Sequence, residues 1–167
     1  ALRMVLHGRF PYLSYPRHYG KQDYDIARQA LAQVGAAEYE NRSVGDLSGG
    51  QRQSVYLAMA LAQDTQTILM DEPTTYLDIE HQLGVMNMAR KLAQEGKAVV
   101  LVLHDIALAL RTADRIAIMQ SGRLIACGTP EEIETSRVID DVFHITLHAA
   151  QTPHGKQYYC MPAQEET

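Results

Sequence analysis

Positive charge is in short supply in this sequence. Fifteen lysines and arginines stand against 20 aspartates and glutamates, a formal net charge of −5. A protein that grips nucleic acid through bulk charge needs the opposite balance, so no nucleic-acid partner is expected, although a small local basic site is compatible with the count. Cysteine is equally sparse. The two present, Cys127 and Cys160, make neither a disulfide framework nor a metal-ligand spacing, and they read as reduced thiols of a cytosolic protein. Long apolar runs are missing too. The longest, 55–62 and 98–103, fall far short of the roughly 18 residues that cross a bilayer. No charged-then-apolar leader opens the chain, so no signal peptide is expected. What is there is apolar enough to fold: 46% of 167 residues, the size of one ordinary domain, or of a domain with part of another.

Residues 8–20, GRFPYLSYPRHYG, are rich in Tyr, Pro and Gly and predict a loop. Asp23 predicts a helix cap, with Ala27, Ala30, Leu31 and Val34 at helical spacing and Gly35 as the stop. After a polar connector (38–46), residues 51–63 carry apolar side chains on most faces and predict a largely buried helix. A short strand follows at 67–70 and stops at two acids and a proline. Ile79, Leu83, Met86, Ala89 and Leu92 mark an amphipathic helix ended by Gly96. The apolar run 98–103 predicts a buried strand with His104 at its tip. Then come a helix through 106–112, a hairpin of 115–119 and 123–127 turning at Ser121-Gly122, a helix opened by Thr129-Pro130-Glu131-Glu132, and two strands at 146–149 and 156–161. Strands alternating with helices predict an α/β fold with a mostly parallel sheet.

Three clusters carry chemistry. Leu47-Ser48-Gly49-Gly50-Gln51 opens the buried helix. Paired glycines let the backbone approach a ligand, the helix N-terminus offers unpaired N–H groups, and Ser48 and Gln51 add a hydroxyl and an amide. The residues alone support either a phosphate-binding corner or a glycine turn capped by serine. The acids Asp71 and Glu72 end the first strand. One carboxylate there suits Mg²⁺ and the other a water aimed at phosphorus, and solvated acids at a strand end remain the plain alternative. His104 follows the next strand, at the carboxyl edge where α/β sheets bind ligands, and it suits a hydrogen bond to a terminal phosphate. A zinc site at His144 and His148 is disfavoured, because strand residues four apart stand about 13 Å from each other.

LSGGQ (47–51), TILMDEPTTYLD (67–78) and VLVLHD (100–105), in that order, resemble the ATPase subunit of ATP-binding cassette transporters. LSGGQ is similar to the family signature, ILMDEP to its Walker B strand, residues 75–78 to the D-loop, and His104 to the switch histidine. GRFPY (8–12), AMALAQDT (58–65) and TTYLDIEHQ (74–82) resemble importers of iron–siderophore, haem or cobalamin chelates; Ser54 departs from the arginine the family more often has. The resemblance implies a P-loop NTPase (RecA-like) parallel-sheet core, incomplete here, with the remainder of the family's helical subdomain. Residues 1–64 would be that helical part and 65–167 the carboxyl-terminal part of the core. It implies ATP and Mg²⁺ as cofactors, with Asp71 on the metal, Glu72 as general base and His104 sensing the γ-phosphate. Ser48, Gly49, Gly50 and Gln51 would contact ATP held by a second ATPase subunit, and Asp78 would couple the two sites. It further implies membrane permease subunits as partners, a substrate-binding protein indirectly, and a cytoplasmic place on the inner face of the membrane.

Nothing in the chain reads G-x-x-x-x-G-K-[ST]. The three Gly-Lys pairs, at 20–21, 96–97 and 155–156, are followed by Gln, Ala and Gln and lack the earlier glycine. The family's phosphate-cradling loop, adenine-stacking aromatic and Q-loop glutamine are therefore expected upstream of Ala1, and the chain alone is expected not to hydrolyse ATP. In the family's sheet the missing strand lies beside two strands of this chain, which are then expected to lack a ladder partner and to make the chain poorly stable. Two other identities compete: a carboxyl-terminal lobe of a split DNA-repair or chromosome-maintenance ATPase, which needs sustained heptads before the signature, and a non-catalytic interaction module.

Overall fold

The computed structural model describes residues 1–75 and 77–163. Tyr76 of the expected D-loop, and the last four residues of the expected 65–167 region, lie outside the described residues. The chain forms two compact units, one of residues Ala1–Val102 and one from Leu103 onward.

The first unit contains α1 (Leu2–Leu6), a 3-10 segment (His7–Tyr12), α2 (Lys21–Gln33), α3 (Gly49–Ala62), β1 (Thr67–Asp71), α4 (Ile79–Gln94) and β2 (Ala98–Val102). Its core joins Val5 and Leu6 of α1, Ala27 and Leu31 of α2, Val55, Ala58 and Ala62 of α3, Ile68 of β1 and Leu92 of α4. Each of the larger of these side chains contributes about 1.5–3 kcal/mol on burial. The stretch 8–20 is a loop only in part, since its first residues continue α1 as the 3-10 segment. There Arg9 is buried: its Nη1 donates to the Ala62 carbonyl at 3.0 Å and its Nε to Asp23 at 3.2 Å. Asp23 is thereby placed inside α2 rather than at its cap. Gly20 is the cap residue, and the Asp23 carboxylate accepts the Gly20 N–H at 3.0 Å. The acid was legible as a capping group, but it acts from the third helical position.

β1 and β2 pair in parallel, Thr67 opposite Ala98 through Asp71 opposite Val102. The Glu72 N–H donates to the Val102 carbonyl at 3.1 Å and extends the ladder by one bond. The run 98–103 is not the fully buried strand its composition predicts. Ile68 is 4% exposed, but Leu69 on the opposite face is 75% exposed and Val100 and Val102 are each 51% exposed. A strand's side chains alternate between faces, and among the described residues of this unit one face of the ladder packs into the core.

The second unit holds α5 (Ile106–Thr112), β3 (Ile116–Gln120), β4 (Arg123–Gly128), α6 (Pro130–Ser136), α7 (Val138–Phe143), β5 (Ile145–Thr152) and β6 (Gly155–Pro162). Ser121 and Gly122 turn the β3–β4 hairpin with φ of 51° and 76°, the left-handed pair that a two-residue turn requires. Thr129 and Glu132 close a reciprocal capping box at the start of α6. Leu110, Ile118, Ile133 and Ile139 form the core, flanked by Ile145, Leu147 and Tyr158. The fold is α/β as expected. Of the three ladders among the described residues, β1–β2 is parallel and the β3–β4 and β5–β6 hairpins are antiparallel.

Candidate functional site

The signature-like turn is built by local chemistry. Leu47 is buried and anchors it, and Ser48 is the N-cap of α3. The Gln51 N–H donates to Ser48 Oγ at 3.3 Å, and the Ser48 N–H donates to Gln51 Oε1 at 3.1 Å. Two of the helix's open N–H groups are satisfied in this way. Ser48 and Gly49 are exposed, and a Cβ at Gly49 would meet nothing within 4 Å, so the helix start is open to a ligand. Ser54 donates its hydroxyl to the Gly50 carbonyl at 3.2 Å, which is its local contact one turn into α3.

The acid tip follows from the strand end. Asp71 is the last residue of β1 and is exposed. Glu72 has φ 46°, a left-handed conformation that costs a non-glycine residue about 1–2 kcal/mol. Pro73 is fully buried behind it. The Thr75 hydroxyl donates to Glu72 Oε2 at 3.1 Å, and the Thr75 N–H donates to the Glu72 carbonyl at 3.1 Å. This turn holds one carboxylate in place and leaves its neighbour, Asp71, facing solvent. Two adjacent acids in unlike settings are what divided roles between metal and water require.

Asp78 caps α4. Its Oδ1 accepts the His81 N–H at 2.9 Å and lies 2.7 Å from His81 Nδ1. These two bonds, the backbone one foremost, hold the Asp78 carboxyl below its ordinary range. Gln82 pins the preceding loop, its Nε2 donating to the carbonyls of Thr74 and Leu77 at 3.2 Å each. One face of the His81 ring, at Cδ2, lies against Gly50. Within the first unit, then, the expected γ-phosphate corner and the expected D-loop acid meet through one imidazole, beside a cleft of about 220 Å³ between α3 and α4. Sequence reasoning assigned no role to His81 or Gln82, although both stand in the quoted motif at 74–82. The signal available was the spacing, because an Asp cap reaches the third residue of its helix.

His104 lies two residues beyond β2, is exposed, and is the second residue of the second unit. Asp105, next to it, caps α5 by accepting the Leu108 N–H at 2.8 Å. Among the described residues no three His, Cys, Asp or Glu side chains converge as a metal-binding group. No helix of the described residues is long and apolar enough to cross a membrane.

Comparison with known proteins shows what the chain is similar to. The family described as ABC transporter matches residues 6–75. A petrobactin import ATP-binding protein of Bacillus anthracis is 41% identical over 163 residues, 97% of this chain and 60% of that protein. A ferric enterobactin transport ATP-binding protein of Escherichia coli is 37% identical over 151 residues, 90% of this chain and 56% of that one. The chain thus spans about 60% of the length of the curated relatives it matches. Among solved structures, an inward-facing metal-chelate type ABC transporter superposes with a TM-score of 0.88 at 29% identity, covering 98% of this chain and 66% of that one. A dimeric bacterial ABC transporter cassette superposes with a TM-score of 0.65 at 31% identity, covering 76% and 54%.

Proposed function

We infer that this chain, which belongs to the ATP-binding cassette family, is part of the ATP-hydrolysing subunit of an importer of chelated iron, as siderophore or haem, or of cobalamin. The observation that carries the reading is the open start of α3 at Ser48-Gly49, held in one compact unit with an acid-tipped parallel strand. Similarity to siderophore import ATP-binding proteins over nearly the whole chain supports the cargo class.

The residues present fit one side of a nucleotide site. Exposed N–H groups and the dipole at the start of α3, with the Ser48 hydroxyl, suit an anionic γ-phosphate held by a second subunit. Asp71 offers a hard oxygen ligand suited to Mg²⁺. Bound there, the metal neutralises charge on the transferring phosphoryl group. Glu72, fixed by Thr75, serves as general base, accepting a proton from the attacking water at its carboxylate. His104 donates to the terminal phosphate, and Asp78 carries the state of one site to the other. The other side of the site does not fit: no residues read as a glycine-rich loop with lysine to cradle the β- and γ-phosphates. These 167 residues alone therefore do not hydrolyse ATP; they act head-to-tail with a second ATPase subunit, beneath a membrane permease on the cytoplasmic face.

The test mixes this chain with a cassette ATPase that keeps its glycine-rich loop but has its own signature disabled. ATP turnover is expected in the mixture, absent from either component alone, and abolished by Ser48→Arg. Turnover by the purified chain alone, or an inactive mixture, overturns the reading.

A further inference from the structure

Gly50 has a second reason to be glycine besides access for a ligand. A Cβ built there would lie 2.7 Å from His81 Cδ2 and 3.0 Å from both Cγ and Nε2, separations at which one of the two must move. The imidazole therefore occupies the space a side chain at Gly50 would take. Its Nδ1 edge is spent on Asp78, at 2.7 Å from Oδ1, while the same oxygen receives the His81 N–H at 2.9 Å. A ring held at Nδ1 by a hydrogen bond and covered at Cδ2 on one face by Gly50 has little freedom to turn. Gly50 is restrained from its own side as well, because its carbonyl accepts the Ser54 hydroxyl at 3.2 Å. The acid-bearing loop is restrained by Gln82, which donates to Thr74 and Leu77. Two tied-down segments with one rigid planar group between them transmit displacement; a flexible side chain in the same place would absorb it.

We propose that His81 is a positioning residue, a strut that sets the loop of Asp78 against the turn of Gly50 so that a shift in one is passed to the other. This rests on the reading above only for its purpose, which is to move the signature-like turn and the D-loop acid as one body. The strut itself is a property of this chain.

The test separates the two. In the ¹⁵N-labelled full chain, Asp78→Asn is expected to shift the Gly50 amide resonance. In a His81→Ala background the same substitution leaves Gly50 unmoved. His81→Asn keeps a nitrogen donor facing Asp78 but lacks the ring face that covers Gly50, so it too loses the response at Gly50; it also serves where the alanine variant fails to fold. A steric arm runs in parallel: Gly50→Ala lowers the urea midpoint in the native background, and His81→Ala removes most of that loss. Equal Gly50 shifts with and without the imidazole, or no shift in either, overturn the proposal, whereas a simple loss of stability would not produce the pattern. None of these measurements needs nucleotide. An inactive mixture in the ATPase assay would count against the functional reading and leave the strut to be decided by the spectra.

Discussion

Gly8→Ala is the sharpest test of how the aromatic segment at 7–12 is seated. A Cβ at Gly8 would lie 2.2 Å from the Met59 carbonyl oxygen, 3.1 Å from the Gln63 nitrogen and 3.2 Å from Ala62 Cβ. An ordinary carbon–oxygen contact is about 3.3 Å or more, so the 3-10 segment must retreat from α3 by about 1 Å. The obstacle is helix backbone, which cannot swing aside. Two hydrogen bonds cross the same seam, Arg9 Nη1 to the Ala62 carbonyl at 3.0 Å and the Tyr12 hydroxyl to the Gln63 carbonyl at 2.7 Å. A retreat of that size takes both past useful length. The charged bond is worth about 1.5–3 kcal/mol and the neutral, exposed one about 0.5–1.5. The reduced freedom of the unfolded chain returns about 0.4–1 kcal/mol. A net loss of about 2–3 kcal/mol is expected, read from urea denaturation as a lowered midpoint at unchanged slope. Gly84→Ala is the control. It lies inside α4 with nothing within 4 Å of its built Cβ and should gain about 1 kcal/mol from helix propensity alone. A Gly8→Ala chain within about 0.5 kcal/mol of the parent would refute the reasoning, because the seam would then be soft.

Arg9→Met removes a buried cation from Asp23 and the Ala62 carbonyl and leaves the acid unpaired; a loss of about 3–5 kcal/mol is expected by the same denaturation, and a neutral result would mean the pair is solvated. Glu72→Gly relieves a left-handed φ of 46° worth about 1–2 kcal/mol, less about 0.5–1 for the freer unfolded chain. It also gives up the Thr75 hydroxyl bond to the carboxylate, worth about 0.5–1.5 kcal/mol, so the variant should lie within about 1.5 kcal/mol of the parent, and a drop of more than about 2 kcal/mol counts against stored strain at the base. Because the His81 N–H and ring depress the Asp78 carboxyl, Asp78 favours the folded state above its unfolded value near 4, and that contribution fades as pH falls through the folded value. Carbon NMR titration should place Asp78 below the ordinary aspartates, and His81→Ala should bring it only part of the way back, because the backbone N–H of residue 81 still donates to the carboxylate; an Asp78 that titrates normally in the parent removes the premise.

How much of this was legible beforehand depends on the range of the forces involved. Thr129 as a cap and Ser121-Gly122 as a turn act within three residues of themselves, so they could be read from sequence and appear as read; Ser48 was legible as a cap, but Gln51, read as an amide for a ligand, closes that cap from the third position of α3. The acid tip of β1 was legible for the same reason: a strand that runs into Asp-Glu-Pro has to end. Gly8, Arg9 and His81 were not, because each is defined by a partner brought near only by packing: α3 for the first two, 51 or more residues away in sequence, and Gly50 for the third. The left-handed φ at Glu72 was hidden by its residue type, since nothing in a glutamate announces φ > 0. The exposed Leu69, Val100 and Val102 are the most informative failure. An apolar run without alternation predicts a strand covered on both faces, yet within the first unit one face of the β1–β2 ladder joins the core. Leu69, Val100 and Val102 on the other face are of types that gain little in water and about 1.5–3 kcal/mol each when covered. Their composition therefore records a two-sided environment that pairing and packing within this unit do not supply, and it could be seen as a discrepancy only once the register had assigned each residue to a face.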